Sequence, residues 1–360
     1  ALAATVAAPM MVVSTATAGE YLAGDFHQHS LYTDGGNTFE HQMAKNNEYG
    51  LDWWANSEHG GERNRDGNGN YWDDPIVYPV NPILGDYEES GGHQEMWRWQ
   101  SLRDYVYPDI LAAREMYPDK TIINGLEMNV PGWEHCSTAW YQPGTDVPTA
   151  ISEFEFRFDR SDDDTSRVGE MGILGDVVTK TNDTQDDALA AVAWTQAVHD
   201  AGIADAWFVP AHIERGRNWY IEDFRAWKAA GPDVVFGFEG SPGHQTSSDR
   251  GFSRSRYGGT RGGVGFYSAM VGGMWDALSA EGIKWFNYAS SDDHWNWRQG
   301  GSDFYPGEFQ KNYTYIDTDA EDKIQAVFDG NRSGNSWFVM GDLIDELQFT
   351  AKSKKQTAMM

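Results

Sequence analysis

The chain of 360 residues is 40% hydrophobic and 14% aromatic, enough to bury one large core or two smaller ones, and its formal net charge is −28. That charge, with no basic stripe, argues against a nucleic-acid or anionic-membrane partner, whose phosphates demand clustered Lys and Arg. It fits a solvated surface in a salty or exported setting, and general solubility equally well; the single cysteine, Cys136, excludes an internal disulfide and any cysteine-rich zinc knuckle.

The opening stretch ALAATVAAPMMVVSTATAGE reads as the apolar, small-residue end of a secretory signal peptide. Ala16-Thr17-Ala18 has the small-x-small form of a cleavage site before Gly19. Residues 1–18 are therefore expected to be a leader remnant and residues 19–360 a single domain, exported to a periplasmic or extracellular space. A buried N-terminal strand or helix is the lesser alternative. No other apolar run is long enough to span a bilayer, and AKSKKQTAMM shows no clear structural ending, so the natural chain is expected to be able to continue.

Along the body, GLDWWANSEHG, TIINGLEMNV, AWFVPAHIERG, DVVFGFEGSPG and IKWFNYASSDDHW read as buried strands with polar ends. TFEHQMAKNNEYG, WRWQSLRDYVYPDILAAREMYPDK, TQDDALAAVAWTQAVHDAGI and GGMWDALSAEG have helical spacing with Gly or Pro stops. The alternation predicts an α/β fold with a mainly parallel sheet or barrel and its site at the C-terminal strand ends. Residues 60–92, rich in Gly, Asn, Pro, Tyr and Trp, are too long for an ordinary connection and read as a folded insertion beside the site. The alternating FEFRF and the acidic DRSDDDTS after it read as a hairpin and its tip.

GDFHQHSLYTDGG places His27 and His29 two residues apart, hence on one face of a strand, where both can meet one metal ion. Alone the pair is weak evidence. Its weight comes from other strand ends: Glu58-His59, Glu127, His135 shortly afterwards, His212, and Asp292-Asp293-His294. Acids and imidazoles recurring there suit a multinuclear metal centre, and packing gives no reason for them.

In this ordered set the sequence resembles the PHP (polymerase and histidinol phosphatase) metal-dependent phosphoesterases, from about Gly24 to Trp295, with residues 60–92 and about 150–186 as insertions. The resemblance implies a distorted (β/α)7 barrel holding two or three divalent ions. It implies that His27, His29, Glu127 and Asp292 hold the first, that Glu127 bridges to a second on His135 and His212, and that Asp34, His59 and His294 hold a third. Imidazole and carboxylate donors without thiolate suit zinc, manganese or iron. Paired ions lower the pKa of a bound water from about 15.7 towards 7 and clamp phosphoryl oxygens, so a metal-bound hydroxide is the expected nucleophile.

Asp293 and Glu58 are expected to orient ligating imidazoles. Arg215, just after His212, is the favoured cation for a phosphoester; Arg217 and the loop arginines Arg250, Arg254, Arg256 and Arg261 read mainly as partners of surface acids. Trp295 and Trp297, with Tyr71, Trp72, Trp97 and Trp99, are candidates to wall a pocket, although core packing explains most tryptophans equally well. His41 and His199 read as helix residues, and His93 and His244 as structural histidines ahead of site groups. RYGGTRGGVG lacks the P-loop lysine, and GFEGSPGHQ lacks the serine spacing of a nucleophile elbow.

The expected function is hydrolysis of a small-molecule phosphomonoester or phosphodiester. The rivals are a metal hydrolase of an amide, lactone or other carbonyl substrate, and a non-catalytic binding protein on the same scaffold.

Overall fold

The computed structural model describes residues 19–215, 218–247, 260–261, 263–348, 350–352 and 357–359. Residues 1–18, where the expected leader falls, lie outside them, as do Arg217, Arg250, Arg254, Arg256 and the side chain of Arg261. Among the described residues no helix is long and apolar enough to cross a membrane.

The longer elements follow the apolar runs of the sequence. β1 (Gly19–Asp25) leads to α1 (Phe39–Glu48), whose first turn is capped by the Thr38 side chain accepting from the His41 N–H. β2 (Trp53–Ala55) is fully buried. The helical run Arg98–Ser101 and a π-turn, Leu102–Val106, lead into α2 (Tyr107–Met116), and β3 (Thr121–Asn129) follows. After β4 (His135–Tyr141) and α3 (Thr149–Phe158) comes α4 (Gln185–Asp200), opened by a capping box between Thr184 and Asp187. The chain continues through β5 (Asp205–Pro210), α5 (Ile221–Ala230), β6 (Gly237–Ser241), α6 (Met274–Ala280) and β7 (Phe286–Ala289). It then forms β8 (Gln310–Asp317), α7 (Lys323–Ser333) and β9 (Ser336–Met340).

Seven strands form one sheet in the order β9-β8-β1-β2-β3-β4-β5, while β6 and β7 pair in parallel beside it. The fold is mixed α/β, and the expected mainly parallel sheet is corrected. Only β1–β2 and β2–β3 pair in parallel within the seven, whereas β3–β4, β4–β5, β1–β8 and β8–β9 are antiparallel. The cause at β3–β4 is the Pro131-Gly132 turn, closed by the Val130 N–H donating to Glu134 O at 3.1 Å, with Gly132 at φ +79°. A turn that short permits a hairpin and no crossover helix.

The hydrophobic core has two main parts. One lies between sheet and helices and includes Trp54, Leu126, Phe154, Trp194, Phe208 and Trp227; the other fills the opposite face with Phe26, Trp53, Ile123, Trp207, Phe236 and Tyr288. Phe328 of α7 closes the far end, packing on Trp207 with ring centroids 4.5 Å apart and on Tyr141 at the end of β4. The C-terminal ends of β1, β2 and β3 are thereby left for polar residues.

Two further expectations change. FEFRF is helical and belongs to α3: Phe154 and Phe158 lie four residues apart against the main core, and Phe156 packs with Trp97, Trp99 and Val178. Alternating aromatics satisfied a two-residue period, but burial on several sides of one helix satisfies them as well. Residues 60–92 form short pairs and turns; Trp72 is buried against Tyr78 and Tyr105, and none of them lines the cavity described next.

Candidate metal centre

Asp25, at the end of β1, turns its carboxylate inward to accept from the His27 N–H at 2.9 Å and the Ser291 N–H at 3.0 Å. Beyond it the H-x-H segment runs beside the Asp292-Asp293-His294 segment, with His27 O accepting from Asp292 N and His29 N donating to Asp293 O, both at 2.9 Å. His59 lies beside Glu127 through the β2–β3 neighbourhood, where Glu127 N donates to Glu58 O at 3.1 Å. His135 opens β4 and His212 follows β5. His212, His244 and Asp292 all have positive φ, at 52°, 54° and 46°, a conformation that non-glycine residues rarely adopt and that clusters at functional sites.

These elements bring all nine sequence-predicted residues, His27, His29, Asp34, His59, Glu127, His135, His212, Asp292 and His294, to one place. His27 Nε2 lies 3.1 Å from Glu127 Oε1 and 3.2 Å from Asp292 Oδ1; His29 Nε2 lies 3.3 Å and 3.4 Å from the same two carboxylates. His59 Nδ1 and His135 Nδ1 are each 3.0 Å from Glu127, and His212 Nε2 is 3.3 Å from it. Asp34 faces His294 at 3.3 Å and His59 at 3.7 Å. A cavity of about 400 Å³ opens above, lined by Asp34, His59, Glu127, His135, His212 and His294 among others, with His27 and His29 fully buried.

The donor atoms fall into overlapping groups able to hold ions: His27, His29, Glu127 and Asp292; His59, Glu127 and His135; His29, Asp34, His59 and His294; and His244, Asp292 and His294. Several buried atoms make no hydrogen bond: His27 Nε2, both His29 ring nitrogens, His59 Nδ1 and Glu127 Oε2. Buried polar atoms are ordinarily paired. Nitrogen and carboxylate oxygen turned toward each other without a bonded proton are what a cation between them would satisfy, so these residues fit divalent metal.

The electrostatics agree. Burial alone would raise Glu127, but the imidazoles of His135, His27 and His59 outweigh it and hold the carboxyl well below its usual range. Asp292 is likewise held well below despite burial, by His244, His27 and His212. Burial pushes His212 down to about 3, leaving a neutral imidazole with a lone pair to offer.

Around this set some expectations change. Asp293 is buried, but its Oδ2 accepts from Gln42 Nε2 at 2.6 Å and its Oδ1 makes no hydrogen bond, so it orients no imidazole by one; burial raises it to about 8. Glu58 accepts from the Ser30 N–H at 3.2 Å and from Thr33 Oγ1 at 2.7 Å, bracing the loop that carries Asp34 rather than a histidine. Arg215 lines the cavity as expected, with its Nη1 3.0 Å from Glu134. Trp295 lines it too, whereas Trp297, Tyr71, Trp72, Trp97 and Trp99 do not. His41, His93 and His199 pair with Tyr305, Asp73 and Asp205 away from the centre.

Two further residues belong to the site: His244, read from the sequence as structural ahead of a site role, and Glu239, which was not singled out. His244 stands in the cavity wall, its Nε2 2.7 Å from Asp292 and its Nδ1 2.6 Å from Asp303. Glu239 of β6 lies beneath, 2.8 Å from His27 Nδ1. The available signal was an acid and a histidine at the polar end of the apolar run VVFGFEGSPGH.

No protein-family model and no curated protein sequence matches this chain. Solved structures do, these two among them. One is a two-domain protein from Bacteroides vulgatus containing a predicted PHP-like metal-dependent phosphoesterase, at 12% identity and a TM-score of 0.41 over 88% of this chain. This chain spans 64% of that protein's length. The other is a candidate metal-dependent phosphoesterase from Bifidobacterium adolescentis, at 13% identity and a TM-score of 0.38, covering 78% of this chain and 90% of that one.

Proposed function

We propose that this chain is a metal-dependent phosphoesterase of the PHP type, hydrolysing a small phosphomonoester or phosphodiester. The observation that carries the reading is the convergence of nine acids and imidazoles, scattered from His27 to His294 and including Glu127 and Asp292, at one cavity. The strand arrangement supports it. β5 continues to β6 through a bridge between Phe208 and Val235, and β7 returns to β1 through one between Asp293 and Gln28. β1 to β7 are thus read as one distorted seven-stranded barrel with β8 and β9 as an extension.

In this proposal His27, His29, Glu127 and Asp292 hold one ion, Glu127 with His135 and His212 a second, and Asp34, His59 and His294 a third. Zinc, manganese or iron in such a set supplies an activated water near neutral pH and charge to balance the phosphoryl oxygens. The chain's own residues do the rest. Glu127 and Asp292 stay ionised in a buried site because imidazoles surround them. Arg215 offers a guanidinium at the cavity wall for an oxygen that the ions leave free. Trp295, half exposed at the same wall, offers a flat surface to the leaving group.

One observation favours a second reading, attack on an amide or lactone: Arg215 already faces Glu134, and it is the only Lys or Arg among the described residues lining the cavity. The test is elemental mass spectrometry on purified protein, with turnover of aryl phosphomonoester, diester and triester probes after chelation and refilling. Two or three ions with metal-restored phosphoester cleavage is the expected result. Bound ions with amide or lactone turnover alone would establish the second reading, and a chain that holds no metal would overturn both.

A further inference from the structure

Glu239 is fully buried below the cavity, and no Lys or Arg pairs with it among the described residues. Phe238 before it packs outward against Phe224 and Trp285, which turns Glu239 to the inner face of β6. Its Oε1 accepts from Ser137 Oγ at 2.7 Å and its Oε2 from Ser290 Oγ at 2.6 Å, so β4 and the end of β7 both fix its orientation. Gly240 lets this region close up, because a Cβ there would stand 1.9 Å from Asn287 Oδ1 and 2.2 Å from Ser268 Oγ.

A third polar contact of Glu239 is His27 Nδ1 at 2.8 Å. A carboxylate held by two hydroxyl donors is an acceptor, so the ring nitrogen facing it carries the proton. The other nitrogen, His27 Nε2, makes no hydrogen bond and faces Glu127 and Asp292. His244 repeats the pattern, with Asp303 behind its Nδ1 and its Nε2 toward the centre. Asp293 and Glu58, which the sequence favoured for this work, bond Gln42, Ser30 and Thr33 instead.

We propose that Glu239 is a positioning residue of the metal centre: it holds His27 in the Nδ1–H form and ring orientation that present Nε2 to a divalent cation. The proposal rests on the metal-centre reading above. Carboxylates behind metal-bound imidazoles fix the tautomer, and their loss typically weakens metal affinity about 10–100-fold.

The experiment loads metal-stripped protein with Zn²⁺ and measures stoichiometry by elemental mass spectrometry and affinity by competition with a chromophoric chelator. Parent, Glu239→Ala and Glu239→Gln are compared, with folding checked by circular dichroism. Glu239→Ala is expected to weaken zinc binding about 10–100-fold. Glu239→Gln, which keeps an acceptor for Nδ1–H, is expected to stay close to the parent. In the zinc-loaded parent the His27 Nδ1–H proton should appear as a slowly exchanging downfield resonance, retained in Glu239→Gln and lost in Glu239→Ala. If Glu239→Ala does not fold, the parent resonance and Glu239→Gln decide. Zinc binding equal to the parent in a folded Glu239→Ala, or a zinc-loaded parent in which His27 Nδ1 carries no proton, would overturn the proposal while leaving the metal centre standing. A parent that binds no zinc would instead overturn the metal-centre reading itself.

Discussion

Glu127 and Asp292 each face five imidazoles, and around Glu127 the rings of His27, His29, His59, His135 and His212 all lie within 3.3 Å of the carboxylate. Glu127→Ala should therefore release about two of the bound ions and bring turnover to background in a folded protein. Metal analysis beside circular dichroism checks this, and full activity in the variant would refute the centre. Arg215→Ala should lower kcat/KM for a phosphomonoester about 10–100-fold, as expected for a lost charge-assisted bond of about 1.5–3 kcal/mol. An aryl triester, with fewer anionic oxygens, should be affected less; equal losses on both would remove Arg215 from phosphate recognition. At this scale most of the nine ligating candidates were legible because they end apolar runs, while Asp34 was legible only through the family resemblance and His135 only as a histidine shortly after one such run. His244 was not, because its place in the cavity depends on a left-handed backbone turn and on Asp303, 59 residues away. Glu239 was hidden for a related reason: its partners Ser137 and Ser290 come from other strands.

At the scale of elements, α3 carries a buried acid whose behaviour follows from its packing. Glu155 Oε1 accepts from the Gly61 N–H at 2.8 Å and Oε2 makes no hydrogen bond. Burial, and then the charges of Asp162 and Asp159, raise its pKa well above the ordinary value of 4.5. The folded chain thus keeps a proton that the unfolded chain releases above that value. Stability from this source is complete below about pH 4.5 and is lost as pH rises through the folded-state pKa. Burial raises Asp162 in the same direction, to about 7. Glu155→Gln keeps an acceptor for Gly61 and has no proton to lose. Its urea-unfolding free energy should fall less than the parent's between pH 5 and pH 8, the difference approaching about 1.4 kcal/mol per pH unit. Parallel curves for the two proteins would show that Glu155 is not the group titrating. The strands ending at the site were readable from their apolar runs, as was α4 from its spacing and Gly stop. The β3–β4 hairpin and the helical FEFRF were not, since the pairing partner and the number of buried sides are tertiary facts that local periodicity does not contain.

For the whole molecule, a net charge of −28 adds to the repulsion among the acids buried at the centre. Divalent ions bound there should stabilise the fold as well as activate it, by about 2.7 kcal/mol for each site kept at 100 times its dissociation constant. Calorimetry should show Tm falling on chelation and returning on refilling, and a Tm indifferent to chelator would mean that the folded state binds no ion it lacks when unfolded. The centre also joins the two ends of the described chain. Asp25 and His27 are locked to Ser291 and Asp292, and β1 pairs along most of its length with β8, which is nearly 300 residues later. During translation, then, the H-x-H segment emerges long before the residues that complete its surroundings. A nascent chain shorter than about Asp303 exposes single histidines and acids but no finished cage, so selective capture of metal must wait until Asp303 has been synthesised, long after the H-x-H segment has emerged.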